Sequence, residues 1–149
     1  MYVYKGMDGL IKTHTNPIKV NDLKVGKMGE IKVAKALQSK LGELFHTEDQ
    51  YDHFDYYNDK VYLEVKTRNI RGRQYDSLMF ELHKIETGLK HKENGFDVWF
   101  AWNCNDGIYM WKLDEGQYFS KFSGRTDRGV DERRFLAHIK QAHIVKFDH

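Results

Sequence analysis

The chain has 149 residues, 40% of them hydrophobic, 14% aromatic and 31% charged, with a single proline. That composition excludes a disordered tail and a multidomain machine, and it suits one folded domain with a substantial core. Basic and acidic residues nearly cancel, 24 against 22, so a nucleic-acid partner has to be argued from where the charges lie. Cys104 is the only cysteine, which excludes an intramolecular disulfide and a cysteine-rich zinc finger. No apolar run approaches the roughly 20 residues of a membrane span, and no signal peptide opens the chain. The expectation is a soluble, intracellular (cytoplasmic) protein.

In chain order, Met1–Tyr4 reads as a strand and Asn16-Pro17 as a loop. A helix begins near Asn21 or Asp22, either of which can cap it, and runs to about Leu41 before Gly42. Residues 52–68 read as a hairpin: Asp52–Tyr57, a turn at Asn58-Asp59, then Lys60–Arg68. Ser77–Glu81 is a short third strand. Ile85 and Leu89, four apart, make His83–Asn94 a helix that ends before Gly95. Val98–Cys104 (VWFAWNC) is apolar on both faces, as a central strand covered from two sides should be. Asn105-Asp106-Gly107 is a turn and Ile108–Leu113 a returning strand. Ser123–Arg134 reads as a loop, followed by a short helix near Glu132–Gln141 and a strand at His143–Phe147. The whole predicts a mixed α/β sandwich, helices packed on a sheet.

One residue of the first helix is out of place. With Ile31 at 0° on a helical wheel, Leu23 and Leu41 fall at about 280°, Ala34 at about 300° and Leu37 at about 240°. Glu30 falls at about 260°, in the middle of that apolar arc. A buried, unpaired carboxylate costs several kcal/mol or shifts its pKa until it neutralises, so a lysine, a metal ion or a water-filled cleft should compensate it. A structural ion pair is the plain alternative.

The pattern acid-x-Lys occurs three times, at Asp22-Leu23-Lys24, Glu30-Ile31-Lys32 and Glu64-Val65-Lys66, so the tripeptide alone carries little information. The first two lie at or in the helix, where i and i+2 do not share a face. The third lies in a strand, where they do. Val61, Leu63, Val65 and Thr67 point one way and Tyr62, Glu64, Lys66 and Arg68 the other, which predicts one core face and one polar face. With the turn at Asn58-Asp59, Asp55 lies opposite Tyr62, on the same side as Glu64 and one diagonal step from it, roughly 7–8 Å between backbones. Asp52 points to the other face, and Asp59 is in the turn. Two converging carboxylates call for a cation between them, and oxygen-only ligation with an incomplete shell suits Mg2+ or Mn2+. Lys66 could orient or help deprotonate an attacking water, or stabilise charge on a phosphate. The plain alternative is a surface hairpin with a solvated Glu–Lys pair.

These residues resemble the PD-(D/E)XK nuclease superfamily, the restriction-endonuclease-like fold. The resemblance covers roughly residues 26–113: Gly-Lys-Met-Gly-Glu30 on the first helix, Asp55 and Glu64-Val65-Lys66 on the hairpin, then the helix His83–Asn94 and the strand Val98–Cys104. It implies an α-β-β-β-α-β core with a mixed β-sheet flanked by helices. It also implies a metal bound or positioned by Glu30, Asp55 and Glu64, and a catalytic Lys66. Phe54 stands where the proline of the family's name would be.

Substrate contacts are expected along Lys66-Thr67-Arg68-Asn69-Ile70-Arg71-Gly72-Arg73, which holds four basic residues and no acid. Lys121, Arg125, Arg128, Arg133 and Arg134 form a second, acid-diluted group. His83-Lys84 could project toward the same cleft but reads first as a helix-terminal pair without a chemical role, and the aromatic pairs Trp99/Trp102 and Tyr109/Trp111 read as core rather than as base-stacking platforms. His138 and His143 lack the other ligands of a zinc site. The reading that follows is a Mg2+-dependent deoxyribonuclease, an endonuclease, with Mn2+ able to substitute. DNA is the expected partner and RNA is left open. A non-catalytic nucleic-acid-binding module and a protein-interaction domain are the rivals. Selectivity would need a homodimer, a partner protein or a structure-specific substrate. Restriction, homing, junction resolution, repair and phage genome processing all use this fold.

Overall fold

The computed structural model describes residues 2–5, 11–14, 25–47, 54–123 and 134–148. Its elements begin with β1 (Tyr2–Lys5), β2 (Ile11–His14), α1 (Val25–Leu41), β3 (Phe45–His46), β4 (Tyr56–Tyr57), β5 (Val61–Thr67) and β6 (Ser77–Glu81). They continue with α2 (Leu82–Glu93), β7 (Asp97–Cys104), β8 (Gly107–Lys112), β9 (Tyr118–Ser123), β10 (Arg134–Lys140) and β11 (Val145–Lys146). β1 and β2 pair with each other. Six strands form a mixed sheet in the order β11-β8-β7-β5-β4-β3, in which only the β5–β7 pair is parallel. A parallel neighbour requires a crossover, and α2 lies within it. The expected α-β-β-β-α-β succession is present with one short extra strand, β3, between α1 and β4, and the architecture is the restriction-endonuclease-like α/β fold. Among the described residues no helix is long and apolar enough to cross a membrane.

Both helices end where the sequence indicates. Gly42 and Gly95 take φ of 86° and 93°, the left-handed conformation that costs glycine least. The helix start expected at Asn21 or Asp22 lies outside the described residues. α1 buries Ile31, Val33, Ala34 and Leu37 against Leu63, Val65, Ala101 and Met110 on one face of the large sheet. The other face is aromatic: Tyr62, Phe100, Trp102, Tyr109 and Trp111 pack with Ile85 of α2 and with Phe80, Ala137 and Ile139 of the smaller sheet. Trp102, Tyr109 and Trp111 are buried, as expected of core residues, and Trp99 is half-buried.

Several expectations change. β6 leaves the large sheet and joins a second one, in the order β6-β10-β9. The helix expected near Glu132–Gln141 is instead β10, whose Ala137 and Ile139 are buried in alternation with half-buried Leu136 and His138. Period 2 places those residues on one sheet face, which no helix would do. β9 was not anticipated, and the last strand is only Val145–Lys146, after a 3-10 turn at Gln141–His143. β5 is not half polar. It lies between β4 and β7, and Val61 through Val65 are all buried, because α2 and the aromatic layer cover the face carrying Tyr62 and Glu64.

The hairpin turn shifts by one residue. Tyr57 faces Tyr62 and Tyr56 faces Leu63, so the turn is Asp59-Lys60. The buried Asn58 side chain sets it: Oδ1 accepts from the Lys60 and Val61 amides, and Nδ2 donates to the Leu41 and Glu43 carbonyls. Moving the turn by one changes the facing partner by two, so faces are preserved. Continuing that register, Asp55 comes opposite Glu64 rather than a diagonal step away.

The basic stretch after β5 is anchored. The Arg68 amide donates to Asn103 O, the Asn105 amide to Ile70 O, the Gly72 amide to Asp106 Oδ1, and Gln141 Nε2 to Gly72 O. A side chain at Gly72 would collide with the Tyr109 ring, which is itself buried and held by its hydroxyl donating to Asp106. Gly72→Ala should therefore lower stability by about 1–3 kcal/mol, read as a lower urea midpoint; an unchanged midpoint would mean that this loop is not docked on Tyr109.

Candidate active site

Glu64 is 2% exposed in the middle of a central strand. Its β7 neighbour in register is Phe100, so water reaches it from neither the strand nor the aromatic side. Its carboxyl shares a hydrogen bond with Asp55 and accepts from Lys84 Nζ at 2.5 Å. Burial is the main reason that its pKa lies well above the ordinary glutamate range, and the nearby Asp55 charge raises it further. The Lys84 ammonium offsets only part of this. The solvated Glu–Lys pair is thereby excluded: Glu64 is buried and its lysine is not Lys66.

Lys66, two residues on and on the same side, is 23% exposed and donates to Glu81 Oε1 at 3.2 Å. Glu81 ends β6 and also lies 3.9 Å from His83 Nε2. The start of α2 thus brings both Glu81 and Lys84 to the site. This fold places α2 against the large sheet closely: a Cβ at Gly88 would stand 3.0–3.2 Å from Leu113, Val98 and Phe54. Lys84 was read from sequence as lacking a role. Its position two residues into a helix that starts on a site strand was the available signal.

Glu30 lies on the buried side of α1 and is itself half-buried. The close approach of α1 to the strand ends is set at Gly29, where a Cβ would come 2.9 Å from Asn103 Nδ2 and 3.3 Å from Thr67 Oγ1. Tyr56 links the two halves of the site. Its phenol is pushed far upward, first by burial and then by the charges of Asp55, Glu30 and Glu64, so the three acids act on one point in the fold. They do not form a cage: among the described residues no three acidic, histidine or cysteine side chains are grouped to hold a metal.

Of the predicted substrate contacts, Arg68, Arg71 and Arg73 are all exposed. Arg73 is engaged internally, donating to Gln141 O, Gln141 Oε1 and Ile144 O and lying 5.2 Å over the Tyr109 ring. Arg125, Arg128 and Arg133, together with Asp52, lie outside the described residues. Lys121 is exposed on β9 rather than in a loop.

The donor chemistry fits a hard divalent cation. Asp55 and Glu64 offer oxygens only, they repel one another, and Glu64 is under-compensated. An ion held by two carboxylates keeps open positions for water and phosphate oxygens, as Mg2+ does. Without metal, the sign of the pH effect is fixed: folded Glu64 keeps a proton that the unfolded chain has released, so stability falls as pH rises from the ordinary glutamate range through the raised pKa. Urea unfolding in EDTA between about pH 5 and 8 should show this fall in wild type and a flatter dependence in Glu64→Gln. Equal slopes would contradict the burial of this charge.

Residues 26–146 match the family described as "phage putative PDDEXK endonuclease". No curated protein and no solved structure matches the chain. The matched span includes the helix of Glu30, the hairpin of Asp55, Glu64 and Lys66, and the strands that enclose them. On the length of that match and on its fold, the chain belongs to the PDDEXK endonuclease family of phage type, within the PD-(D/E)XK nuclease superfamily.

Proposed function

We propose that residues 1–149 form one nuclease domain, a metal-dependent deoxyribonuclease that cuts phosphodiester bonds internally. The observation that carries this reading is the Asp55–Glu64 pair, with Glu64 buried, Asp55 half-buried, Lys84 on the Glu64 carboxylate and Lys66 two residues along the same strand on Glu81. When bound, Mg2+, or Mn2+ in its place, supplies water activation and neutralises charge on the scissile phosphate. Asp55 and Glu64 hold the ion. Glu30 acts from α1 as a positioning acid rather than as the third wall of a cage. Lys66, as an ammonium, orients the attacking water and stabilises charge building on the phosphate. Glu81 keeps the Lys66 ammonium in place, and Lys84 keeps the Glu64 carboxylate in its rotamer. Arg68 and Arg71 hold backbone phosphates on either side of the cut, which gives affinity without sequence preference.

Wild type, Lys66→Ala and Glu64→Ala should be compared on supercoiled and branched DNA with Mg2+, Mn2+, Ca2+ or EDTA. Cutting in Mg2+ or Mn2+, reduced at least about a hundredfold by each substitution, is the expected result. Cutting that survives both substitutions would place the chemistry elsewhere. Metal-dependent DNA binding with no cutting would favour a non-catalytic binding module on the same scaffold.

A further inference from the structure

The smaller sheet has a face that the nuclease reading does not use. Its inner side is core, with Leu78, Phe80, Ala137 and Ile139 buried. Register fixes the outer side. His138 lies between Met79 and Phe119, and Leu136 lies between Glu81 and Lys121. Residues two apart on a strand share a face, so these two rows are neighbours. Met79 and Phe119 are 43% and 46% exposed, and the Phe119 and His138 rings stack at 5.2 Å with 10° between their planes. His138 is held by Ser77 Oγ at 3.1 Å from Nδ1, and its Nε2 is buried without a hydrogen-bond partner among the described residues. The result is a stacked ring pair whose outer ring, Phe119, is open to solvent.

Two features identify what lies on it. The strands Tyr118–Ser123 and Arg134–Lys140 carry Lys121, Arg134 and Lys140 and no acid, a charge pattern for a polyanion rather than for an apolar protein surface. This face is also continuous with the site: Glu81, which holds Lys66, ends the row that runs through Leu136 to Lys121, two strand spacings or roughly 10 Å away. We infer that this face is a stacking surface for unpaired nucleotides of the strand that enters or leaves the cleft, with Phe119 against a base and Lys121 against a phosphate. The inference rests on the nuclease reading and assigns it a substrate class, nucleic acid with single-stranded character beside the cut. Aromatic stacking is indifferent to base identity, so the face selects strand state and not sequence.

The test is fluorescence anisotropy in EDTA with a labelled oligothymidylate and a labelled duplex. Phe119→Ala should weaken oligothymidylate binding about tenfold and duplex binding less than about twofold, with Phe119→Trp near wild type. Phe119 is exposed, so loss of folding is not expected to obscure the result; far-UV circular dichroism checks it. Equal binding of the oligothymidylate by wild type and Phe119→Ala would overturn the inference while leaving the nuclease reading intact. A light-scattering dimer abolished by Phe119→Ala, with DNA binding unchanged, would overturn it in favour of a second copy on this face. Wild type that binds neither DNA, in EDTA or in Ca2+, would overturn the nuclease reading, and the inference with it.

Discussion

A carboxylate buried in the middle of a central strand is the constraint around which this molecule is organised. Glu64 has an apolar alternative at almost every neighbouring position, yet it keeps a charge-bearing group 2% exposed next to a second acid. Such an arrangement does not favour folding by itself, because desolvation and like-charge repulsion act together. Lys84 answers part of that cost and a cation would answer the rest. On the proposed function, the same feature that weakens the metal-free fold is the one that would take up a metal.

The surrounding structure keeps this arrangement fixed. β4 and β7 clamp β5 on both edges, α1 and the aromatic layer close its faces, and α2 begins at the strand end that supplies Glu81. The loop after β5 is tied to the β7–β8 turn and to the 3-10 turn by backbone hydrogen bonds and by Arg73. Arg68 and Arg71 are therefore presented from a docked loop, so the phosphate contacts proposed for them would not require the loop to be ordered first. Lys66 and Lys84 are each held by a glutamate: Lys66 by Glu81 on the half-open side, and Lys84 by the buried Glu64.

Much of the site was legible because the signals were violations of a pattern. Glu30 interrupts the apolar arc of its helix, and the acid-x-Lys triplet in a strand puts both groups on one side. The face assigned to Asp55 is unaffected by the wrong turn, because a shift of one turn residue moves facing partners by two and leaves faces unchanged. VWFAWNC announced a strand covered on both sides. What the sequence did not disclose depends on contacts distant along the chain. β5 looked half polar because Glu64 and Lys66 are charged, whereas their partners come from β6 and α2. The strand β10 resembles a helix locally because Ala137 and Lys140 suit one, and pairing with β6 and β9 decides the matter. Arg73 looks like its neighbours in sequence and is distinguished only by carbonyls from residues 141 and 144.

The most direct measurement of the central claim is calorimetric titration of Mn2+ into the protein at several pH values around neutral. If Asp55 and Glu64 hold the ion, it competes with the proton that the raised pKa of Glu64 favours, so binding should tighten as pH rises, and the heat of binding should be lost in Asp55→Asn and Glu64→Gln. Binding that survives both substitutions would contradict the account, because the cation would then be held somewhere else.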